Sequence, residues 1–489
     1  MTAEDETRSK LLFHLREILE PEQLITETEE LRPYECDGLS AYKKLPLAVV
    51  LPETIEQIQQ IMRICSNLFI PVVARGAGTG LSGGAMPHEG GIILGLSRFN
   101  KILDVDVDSQ SARVQPGVRN LAITEAAREF NLYYAPDPSS QIACSIGGNV
   151  AENSGGVHCL KYGLTVHNVL EVKIITVEGE LVTLGSSALD NPGYDLLGLI
   201  TGSEGMLGII VEILVRLLPR PETVNVIMAA FDKTEYAASA VAAIIGDGII
   251  PAGLEMMDKL AIQAAEDFAH AGYPTDAEAI LLCELDGSQD EVNEQLFLVK
   301  RQLRQKSATS IVVAETPEQQ AKIWAGRKSA FPAVGRISPD YYCMDGTIPR
   351  HQIAHVLARI GELSNEFDLR VANVFHAGDG NLHPLILYDA NIPGELVKAE
   401  KFGAEILKLS VDVGGTITGE HGVGSEKIDQ MCYQFTDAEL DYFHSIKAAF
   451  DPNLILNPGK AVPTLHRCAE LGQMHVHNGE LPHPDLPRF

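Results

Sequence analysis

The chain has 489 residues, with 38 Lys or Arg against 66 Asp or Glu, which gives a formal net charge of −28 with His neutral. Hydrophobic residues make up 45% and charged residues 21%, so the composition is that of a globular protein and excludes a disordered or fibrous one. The negative charge argues against nucleic acid and anionic lipid as partners, because binding either needs Lys and Arg to replace counterions.

No run of 18 uncharged apolar residues predicts a membrane-spanning helix. The acidic, polar first ten residues also lack the apolar core of a secretory signal. We therefore expect a cytoplasmic protein without direct membrane insertion. None of the eight cysteines belongs to a C-x-x-C pair or to an iron–sulfur ligand run, so we expect no second redox centre in this chain.

The order of the predicted elements divides the chain into four parts. Residues 1–45 form a lead-in with one short helix. Residues 46–222 predict short apolar strands separated by glycine-rich turns, with a helix at 55–67 between the first two strands and a hairpin at 170–184. The Pro-Arg-Pro sequence at 219–221 marks the strongest boundary between parts.

Residues 223–425 predict strands separated by helices, which is typical of an α+β layer with one sheet and helices on one face. Ser288 and Thr316 are the predicted N-caps of two of these helices. Residues 426–489 predict a short helical segment, capped at Thr436, that returns to the first half. The whole chain is therefore predicted to be an α+β protein.

The first glycine-rich stretch contains G-x-G-x-x-G at Gly78, Gly80 and Gly83. A Rossmann fold needs a helix directly after this motif, but a further turn and a strand follow, and no Lys-Ser/Thr pair closes the loop as in a P-loop. Glycines at this density can instead turn several main-chain N–H groups toward one phosphate. The alternative is a mobile surface loop, and this stretch alone favours neither.

A second stretch, at 136–163, is rich in small and amide side chains and has little regular structure, which is rare in a compact domain unless it is functional. A third, Gly-Ser-Glu-Gly, lies at 202–205. The order Arg-Gly-x-Gly-Thr, Pro-Asp-Pro-Ser, Ile-Gly-Gly-Asn, Asn-x-Gly-Gly and Gly-Ser-Glu-Gly resembles the FAD-binding domain of the vanillyl-alcohol-oxidase-type (PCMH-type) flavoproteins. The likeness covers residues 47–220.

That resemblance implies bound FAD and assigns its contacts. The pyrophosphate would be held by Arg75, Gly76, Ala77, Gly78, Thr79, Gly80 and Leu81. The adenine, ribitol and ring portions would be lined by Pro136, Asp137, Ser139, Ser140, Gly147, Gly148, Asn153, Gly155 and Ile210, with Asn457 added from the C-terminal segment. Members that bond FAD covalently through the first loop carry a His there, and this loop has none, so non-covalent FAD is implied.

Two histidines, His376 and His383, lie seven residues apart across a Gly-Asp-Gly turn. One continuous strand would put them on opposite faces, but the turn can bring both to one point. Glu420 and His421 follow between glycines. Two imidazoles and a carboxylate form a donor set suited to Zn, Mn or Fe with open positions for substrate. The alternative is that each is an ordinary hydrogen-bonded loop residue.

The H-A-G-D-G-N-x-H, G-E-H-G and W-A-G-R-K motifs resemble the C-terminal domain of the FAD-linked 2-hydroxy-acid dehydrogenases, which implies an α+β antiparallel-sheet cap domain at 223–425. That family includes D-lactate and D-2-hydroxyglutarate dehydrogenases and the flavoprotein subunits of bacterial glycolate oxidases. The last are the most similar, over nearly the whole chain.

The resemblance also implies roles for the motif residues. His376, His383 and Glu420 would hold a divalent metal, His421 would be the catalytic base, and Arg327 would clamp the substrate carboxylate. Leu385, Cys343 and Phe331 stand where the hydroxyglutarate branch has polar groups, which favours a small substrate, glycolate or D-lactate. The reaction would give glyoxylate or pyruvate by hydride transfer to the flavin.

The chemistry agrees with this set of residues. A substrate hydroxyl resembles water, with a pKa near 16, whereas that of His is about 6.5. The gap of about nine units corresponds to roughly 13 kcal/mol. His421 therefore needs a metal that lowers the pKa of a bound hydroxyl, and Arg327 can orient a carboxylate bidentately.

The glycolate-oxidising branch implies two partners, a second FAD-binding-type subunit and an iron–sulfur subunit, with attachment at the inner membrane face through them. The residues by themselves leave three alternative functions open. They are a stand-alone D-lactate dehydrogenase, a metal-dependent hydrolase whose glycine loops are only structural, and a non-catalytic flavin-binding subunit.

Overall fold

The computed structural model describes residues 3–188 and 193–463. The strands are β1 (Leu24–Ile25), β2 (Ala48–Val50), β3 (Val72–Arg75), β4 (Ile92–Gly95), β5 (Ile102–Asp106), β6 (Ser111–Val114), β7 (Leu132–Tyr133), β8 (Val169–Ile175), β9 (Leu181–Gly185), β10 (Ile209–Arg216), β11 (Leu218–Pro219), β12 (Thr223–Phe231), β13 (Gly253–Asp258), β14 (Ala279–Gly287), β15 (Ser310–Val313), β16 (Asp340–Cys343), β17 (Val371–Phe375) and β18 (Pro384–Tyr388).

The α-helices connect these strands and cover their faces. They are α1 (Ala3–Ile18), α2 (Thr28–Leu31), α3 (Ile55–Leu68), α4 (Asn120–Ala127), α5 (Ile146–Glu152), α6 (Cys159–Tyr162), α7 (Leu196–Ile200), α8 (Thr234–Gly246), α9 (Lys259–Ala269), α10 (Gln289–Gln305), α11 (Pro317–Lys328), α12 (Ala330–Val334), α13 (Ile353–Phe367), α14 (Glu395–Asp412), α15 (Ile428–Gln434) and α16 (Asp437–Phe450). None of the described helices is long and apolar enough to span a bilayer.

The first sheet has the order β1-β2-β4-β3, in which β2, β4 and β3 are parallel. Helix α3 crosses over between β2 and β3, as predicted. It starts at a capping box formed by Thr54 and Gln57 and ends where Phe69 takes a left-handed φ of 55°. Its buried face is Ile58, Ile61, Met62 and Cys65. The first glycine-rich loop leaves the sheet directly after β3.

The second sheet is antiparallel, in the order β5-β6-β10-β8-β9. Strands β8 and β9 form the predicted hairpin, closed by the N–H of Thr176 bonding to the carbonyl of Glu180. Central strand β10 carries Ile210 toward the interior, beside Gly208. This sheet therefore brings the end of the third glycine-rich stretch next to the first.

The third sheet has seven antiparallel strands in the order β15-β12-β14-β13-β17-β18-β16. Helices α8, α10, α13 and α14 pack on one face, and α9, α11 and α12 pack on the other. The prediction of helices on one face only was wrong. The physical reason is visible in β14, whose residues 279–286 are buried on both sides, so both faces of the sheet need apolar cover.

The chain returns to the first sheet after α16. Leu456 forms a parallel bridge to Val72, and both pack in the core around α3. Lys447 is buried and donates to the carbonyls of Met206 and Leu456 at 2.7 Å each. Residues 464–489 of the predicted C-terminal segment lie outside the described residues.

Candidate active site

One cavity of about 500 Å³ is lined by both halves of the chain. The second half contributes Phe331, His383, Glu420 and His421. The predicted FAD contacts at its surface are Arg75, Gly76, Ala77, Gly78, Thr79, Gly80, Leu81, Ser139, Ser140, Gly147, Gly148 and Ile210. The glycine-rich stretches and the histidine cluster therefore share one space.

The loop at 76–81 presents unpaired main-chain donors to this cavity, since none of its N–H groups has an acceptor among the described residues. Gly76 lies so close to the second stretch that a Cβ would be 2.0 Å from the Oγ of Ser145. Gly78 has a φ of +71°, and a Cβ there would be 2.3 Å from the Nη2 of Arg75. Such a set of free N–H groups fits the oxygens of a pyrophosphate.

The first turn of α5 also reaches the cavity, and two of its residues, Gly147 and Gly148, have no side chain. A Cβ at Gly147 would lie 2.5 Å from the Cβ of Pro116, so only glycine allows this close approach. Gly148 follows on the cavity side. The main chain of α5 is therefore open to a planar ligand.

The Gly-Asp-Gly turn brings both imidazoles to one point. The N–H of Gly380 donates to the carbonyl of His376 at 3.0 Å, and Gly380 has a φ of +81°. The rings of His376 and His383 lie 5.2 Å apart between centroids. The predicted folding of this turn is therefore confirmed.

Glu420 connects the imidazoles. Its Oε1 lies 2.9 Å from Nε2 of His383, 3.3 Å from Nε2 of His376 and 3.8 Å from Nε2 of His421. The potential ligand atoms of His376, His383 and Glu420 lie within 4.8 Å of one another. Imidazole nitrogens and a carboxylate oxygen at this separation fit a cation of the Zn, Mn or Fe type.

Asp345 fixes the loop that carries Glu420 and His421. Its carboxylate accepts the N–H groups of Gly419 at 3.0 Å, Glu420 at 3.2 Å and His421 at 2.9 Å. The ammonium of Lys427 lies 3.2 Å away and is also buried. Burial opposes ionisation of Asp345, but His421 and Lys427 hold its pKa well below the usual range.

The imidazoles of this cluster differ in the direction of their pKa shifts. Burial lowers the pKa of His421 to about 4, although Asp345 opposes the effect, so this ring is neutral at pH 7. Its Nδ1 is buried and has no hydrogen-bond partner among the described residues. Burial also disfavours the charged form of His376, but Glu255 and Glu420 raise its pKa well above the ordinary value. The same negative surroundings favour a divalent cation.

Arg327 is not among the residues that line the cavity, unlike the neighbouring Lys328. Its side chain is 1% exposed and forms an ion pair with the wholly buried Glu255. The Nε of Arg327 donates to Oε2 of Glu255 at 2.8 Å. Its Nη2 lies 2.6 Å from the same oxygen but is buried without a hydrogen bond among the described residues.

Two predicted FAD contacts in the second stretch have structural roles instead. The carbonyl of Pro136 accepts from Nδ2 of Asn120. Asp137 lies 2.9 Å from Nδ1 of His158 and accepts the main-chain N–H of the same residue. Neither lines the cavity, because their polar groups are used to hold the loop.

Three further predicted contacts also lie away from the cavity surface. Asn153 ends α5 with a φ of 53° and accepts from the N–H of Val166. Gly155 allows the close approach of Glu420, whose Oε2 would lie 2.6 Å from a Cβ at this position. Asn457 donates to the carbonyl of Gly84 at 2.8 Å and supports the first loop from behind.

The sequence analysis missed Asp345, Glu255 and Lys328. Lys328 lines the cavity next to Phe331, one residue after the predicted arginine. Asp345 lies two residues after the end of β16, and a carboxylate at a strand end was the available signal. Glu255 is a charged residue inside the apolar run of β13, and that interruption was the available signal.

The three residues that predict a small substrate surround His383 in part. Phe331 lines the cavity, and its ring lies 6.1 Å from that of His383. Cys343 and Leu385 pair across β16 and β18 and are buried in the core. The ring of Phe331 and the thiol of Cys343, which is within 4.8 Å of ligand atoms of His383 and His421, therefore lie beside the histidine cluster.

Comparison with known families matches residues 46–185 to the FAD binding domain and residues 220–461 to the FAD linked oxidases, C-terminal domain. The fold is similar to p-cresol methylhydroxylase, with a TM-score of 0.80 at 19% identity, covering 94% of this chain and 98% of that one. The vanillyl-alcohol-oxidase-type architecture and the FAD cofactor are therefore confirmed.

Two curated relatives are similar over most of their length. Glycolate oxidase subunit GlcD of Escherichia coli (strain K12) is 61% identical over 485 residues, covering 99% of this chain and 97% of the relative. D-lactate dehydrogenase of Anaerostipes hadrus is 32% identical, covering 90% and 94%. With both domains matched in order, the chain belongs to the FAD-linked oxidase family, within the group of flavoprotein oxidoreductases that includes these two relatives.

Proposed function

We propose that this protein oxidises a small 2-hydroxy acid, glycolate to glyoxylate and also D-lactate to pyruvate. The observation that carries the proposal is the single cavity that joins the free N–H groups of the loop at 76–81 to His383, Glu420 and His421. The high identity to a glycolate oxidase subunit supports glycolate as the substrate. Because the family is a flavoprotein family, we set aside a metal-dependent hydrolase.

FAD supplies a hydride acceptor when it is bound. The loop from Arg75 to Leu81 would hold its pyrophosphate, and Gly147, Gly148 and Ile210 would line the rest of its path. No His lies in the loop at 75–81, which supports non-covalent binding. The negative chain thus holds an anionic cofactor mainly with main-chain dipoles.

His421 is the proposed base. It is neutral at pH 7 and lines the cavity, so its ring can accept the hydroxyl proton. As the proton leaves, the carbon that bears the hydroxyl would lose its hydrogen as a hydride to bound FAD, and its C–O bond would become a carbonyl. Stacking on His383 at 4.8 Å and the main-chain bond to Asp345 hold the ring in place.

His376, His383 and Glu420 would hold a divalent cation, which would lower the pKa of a coordinated hydroxyl. We assign the carboxylate contact to Lys328, the cavity-lining cation beside Phe331. Phe331 leaves little polar surface for a second carboxylate, so the proposed substrate is a monocarboxylate.

We also propose that the chain acts as the flavoprotein subunit of a glycolate oxidase complex on the cytoplasmic side of the membrane. Its partners would be a second FAD-binding-type subunit and an iron–sulfur subunit, which would take the electrons onward. Purification from cells that express all the subunits should recover a complex with cluster absorbance. Recovery of the chain alone, with full quinone-reducing activity, would favour a stand-alone D-lactate dehydrogenase.

Anaerobic mixing tests the substrate directly. FAD-loaded protein is mixed with glycolate, D-lactate, L-lactate or D-2-hydroxyglutarate, and the flavin absorbance is followed. We expect glycolate to bleach the flavin fastest, D-lactate more slowly and hydroxyglutarate hardly at all. Failure of every acid to bleach a fully loaded flavin would refute the proposed oxidation.

A further inference from the structure

Glu255 is a carboxylate buried in the middle of β13, with 0% of its side chain exposed. An ionised group at such a depth costs several kcal/mol unless it is paired and hydrogen-bonded. It does not line the cavity. Its presence therefore needs an explanation other than direct contact with a ligand.

The two oxygens of Glu255 have different partners. Oε2 accepts from Nε of Arg327 at 2.8 Å, and Oε1 lies 2.7 Å from Nδ1 of His376. An ionised carboxylate can only accept, so Nδ1 of His376 carries the proton of this bond. Nε2 of the same ring is thereby directed to Glu420, 3.3 Å away.

Strand pairing makes this contact rigid. In the register of β13 and β17, Met256 lies opposite Phe375, which puts Glu255 beside His376, the first residue after β17. The main chain of His376 is itself held by its N–H bond to the carbonyl of Asn381 at 3.1 Å. Arg327 comes from α11 on the face of the sheet and completes the contact.

We infer that Glu255 is the positioning residue of His376 and that Arg327 is its counter-ion, so this pair acts on the divalent-cation site rather than on the substrate. A carboxylate that holds the far nitrogen of a ligating imidazole fixes its tautomer and orientation and increases its basicity. Arg327 neutralises the charge of the buried Glu255 carboxylate. The inference rests on the proposed cation site.

The test measures cation binding in FAD-loaded enzyme that has been stripped of metal. Zn²⁺ and Mn²⁺ are titrated against a chromophoric chelator for wild type and for Glu255→Gln. The amide keeps the shape but loses the charge, so we expect about 10- to 100-fold weaker binding with normal FAD content. Affinity within twofold of wild type would overturn the inference.

Glu284→Gln is the matched control. Glu284 is an acid on the neighbouring strand β14, but its carboxylate pairs with His158 and Trp324 instead. We expect this variant to bind the cation as wild type does. An equal loss of affinity in both variants would mean that Glu255 acts only through general stability, which would refute the inference.

Glu255→Leu combined with Arg327→Met keeps the test possible if the single variant does not fold, since replacing both members of a buried pair with apolar groups often preserves stability. We expect normal FAD content and the same loss of cation affinity. Arg327→Met alone separates the two roles of arginine. If Arg327 is the counter-ion, its loss weakens cation binding. If Arg327 clamps the substrate, its loss raises only the KM for glycolate, and that result would contradict the inference.

The failure of the proposed reaction can be told apart from the failure of this inference. Wild-type protein that binds neither cation overturns the positioning role, because there is then no site to position. Flavin bleaching by glycolate in the same sample decides separately whether the oxidation stands.

Discussion

At the scale of single residues, Glu420 determines the arrangement of the site. One oxygen of Glu420 is shared between the Nε2 atoms of His383 and His376, and the neighbouring His421 stays outside this contact. Adjacent residues therefore have different proposed tasks, cation binding and proton transfer. The difference follows from the loop conformation that Asp345 imposes.

His421→Ala should lower the rate of flavin reduction by glycolate about 10²- to 10⁴-fold, the usual contribution of a general base. FAD content should not change, since His421 is not among the predicted FAD contacts. Stopped-flow absorbance under anaerobic conditions measures the rate. His355→Ala, on the exposed side of α13, is the control and should react as wild type does. A rate for His421→Ala within a few fold of wild type would remove the base assignment.

Lys328→Met should raise the KM for glycolate about five- to tenfold, because an exposed ion pair is worth roughly 1 kcal/mol. The rate at saturating glycolate and the FAD content should change little. Lys322→Met is the matched control, since Lys322 is an exposed lysine on the same helix that does not line the cavity. Steady-state kinetics with an artificial acceptor gives both constants. Equal KM values for the two variants would mean that Lys328 does not contact the carboxylate.

At the scale of elements, the glycine-rich loop after β3 is held by contact with the residue that precedes α5. Gly76 and Ser145 touch so closely that no side chain fits between them. None of the main-chain N–H groups at 76–81 has an acceptor within the part of the chain that the structure describes. Its shape therefore depends on neighbouring elements, including Asn457, which bonds to Gly84 from the end of the described chain.

Gly76→Ala should strongly reduce FAD binding, since its Cβ would lie 2.0 Å from the Oγ of Ser145 and the loop would have to move. The measurement is flavin released per chain after heat denaturation, with titration of FAD into the apoprotein. Gly361→Ala is the control, because Gly361 lies within α13 with open space around its Cβ position. Full FAD content in Gly76→Ala would show that this contact does not shape the cofactor site.

At the scale of the whole molecule, a group of charges joins the first half to the third sheet. His158 lies between Asp137, at 2.9 Å from Nδ1, and Glu284 on β14, at 2.9 Å from Nε2. Burial disfavours the charged imidazole, but Asp137 and Glu284 raise the pKa of His158 well above its usual value. This contact therefore joins the loop of Asp137 in the first half to the third sheet.

This junction predicts a pH-dependent stability. The folded pKa of His158 is above the unfolded value near 6.5, so its contribution is complete below pH 6.5 and is lost as the pH rises through the folded value. The denaturation midpoint of His158→Gln should therefore fall furthest below wild type at pH 6, and the difference should shrink toward pH 10. His355→Ala should show no such trend. A constant difference across this range would contradict a charged His158.

The sequence by itself determined the class of site. Glycine density at 75–84 left main-chain phosphate binding and a mobile loop open, and the later motifs with their family resemblance favoured phosphate binding. The convergence of His376 and His383 was predictable because one local turn joins them, whereas Glu420 comes from 37 residues farther along the chain. The hairpin at 170–184 and the helix at 55–67 were also predictable, since periodicity and capping are local.

Only the tertiary structure decided which polar residues face the cavity. Arg327 and Asp137 are turned away because Glu255 and His158, distant in sequence, neutralise them in the interior. Lys328 faces the cavity because it follows Arg327 by one residue on α11, and 100° of helical rotation separates their directions. Pairing between distant charges and the packing of β13 against β17 leave no local pattern, and so a single sequence could not reveal them.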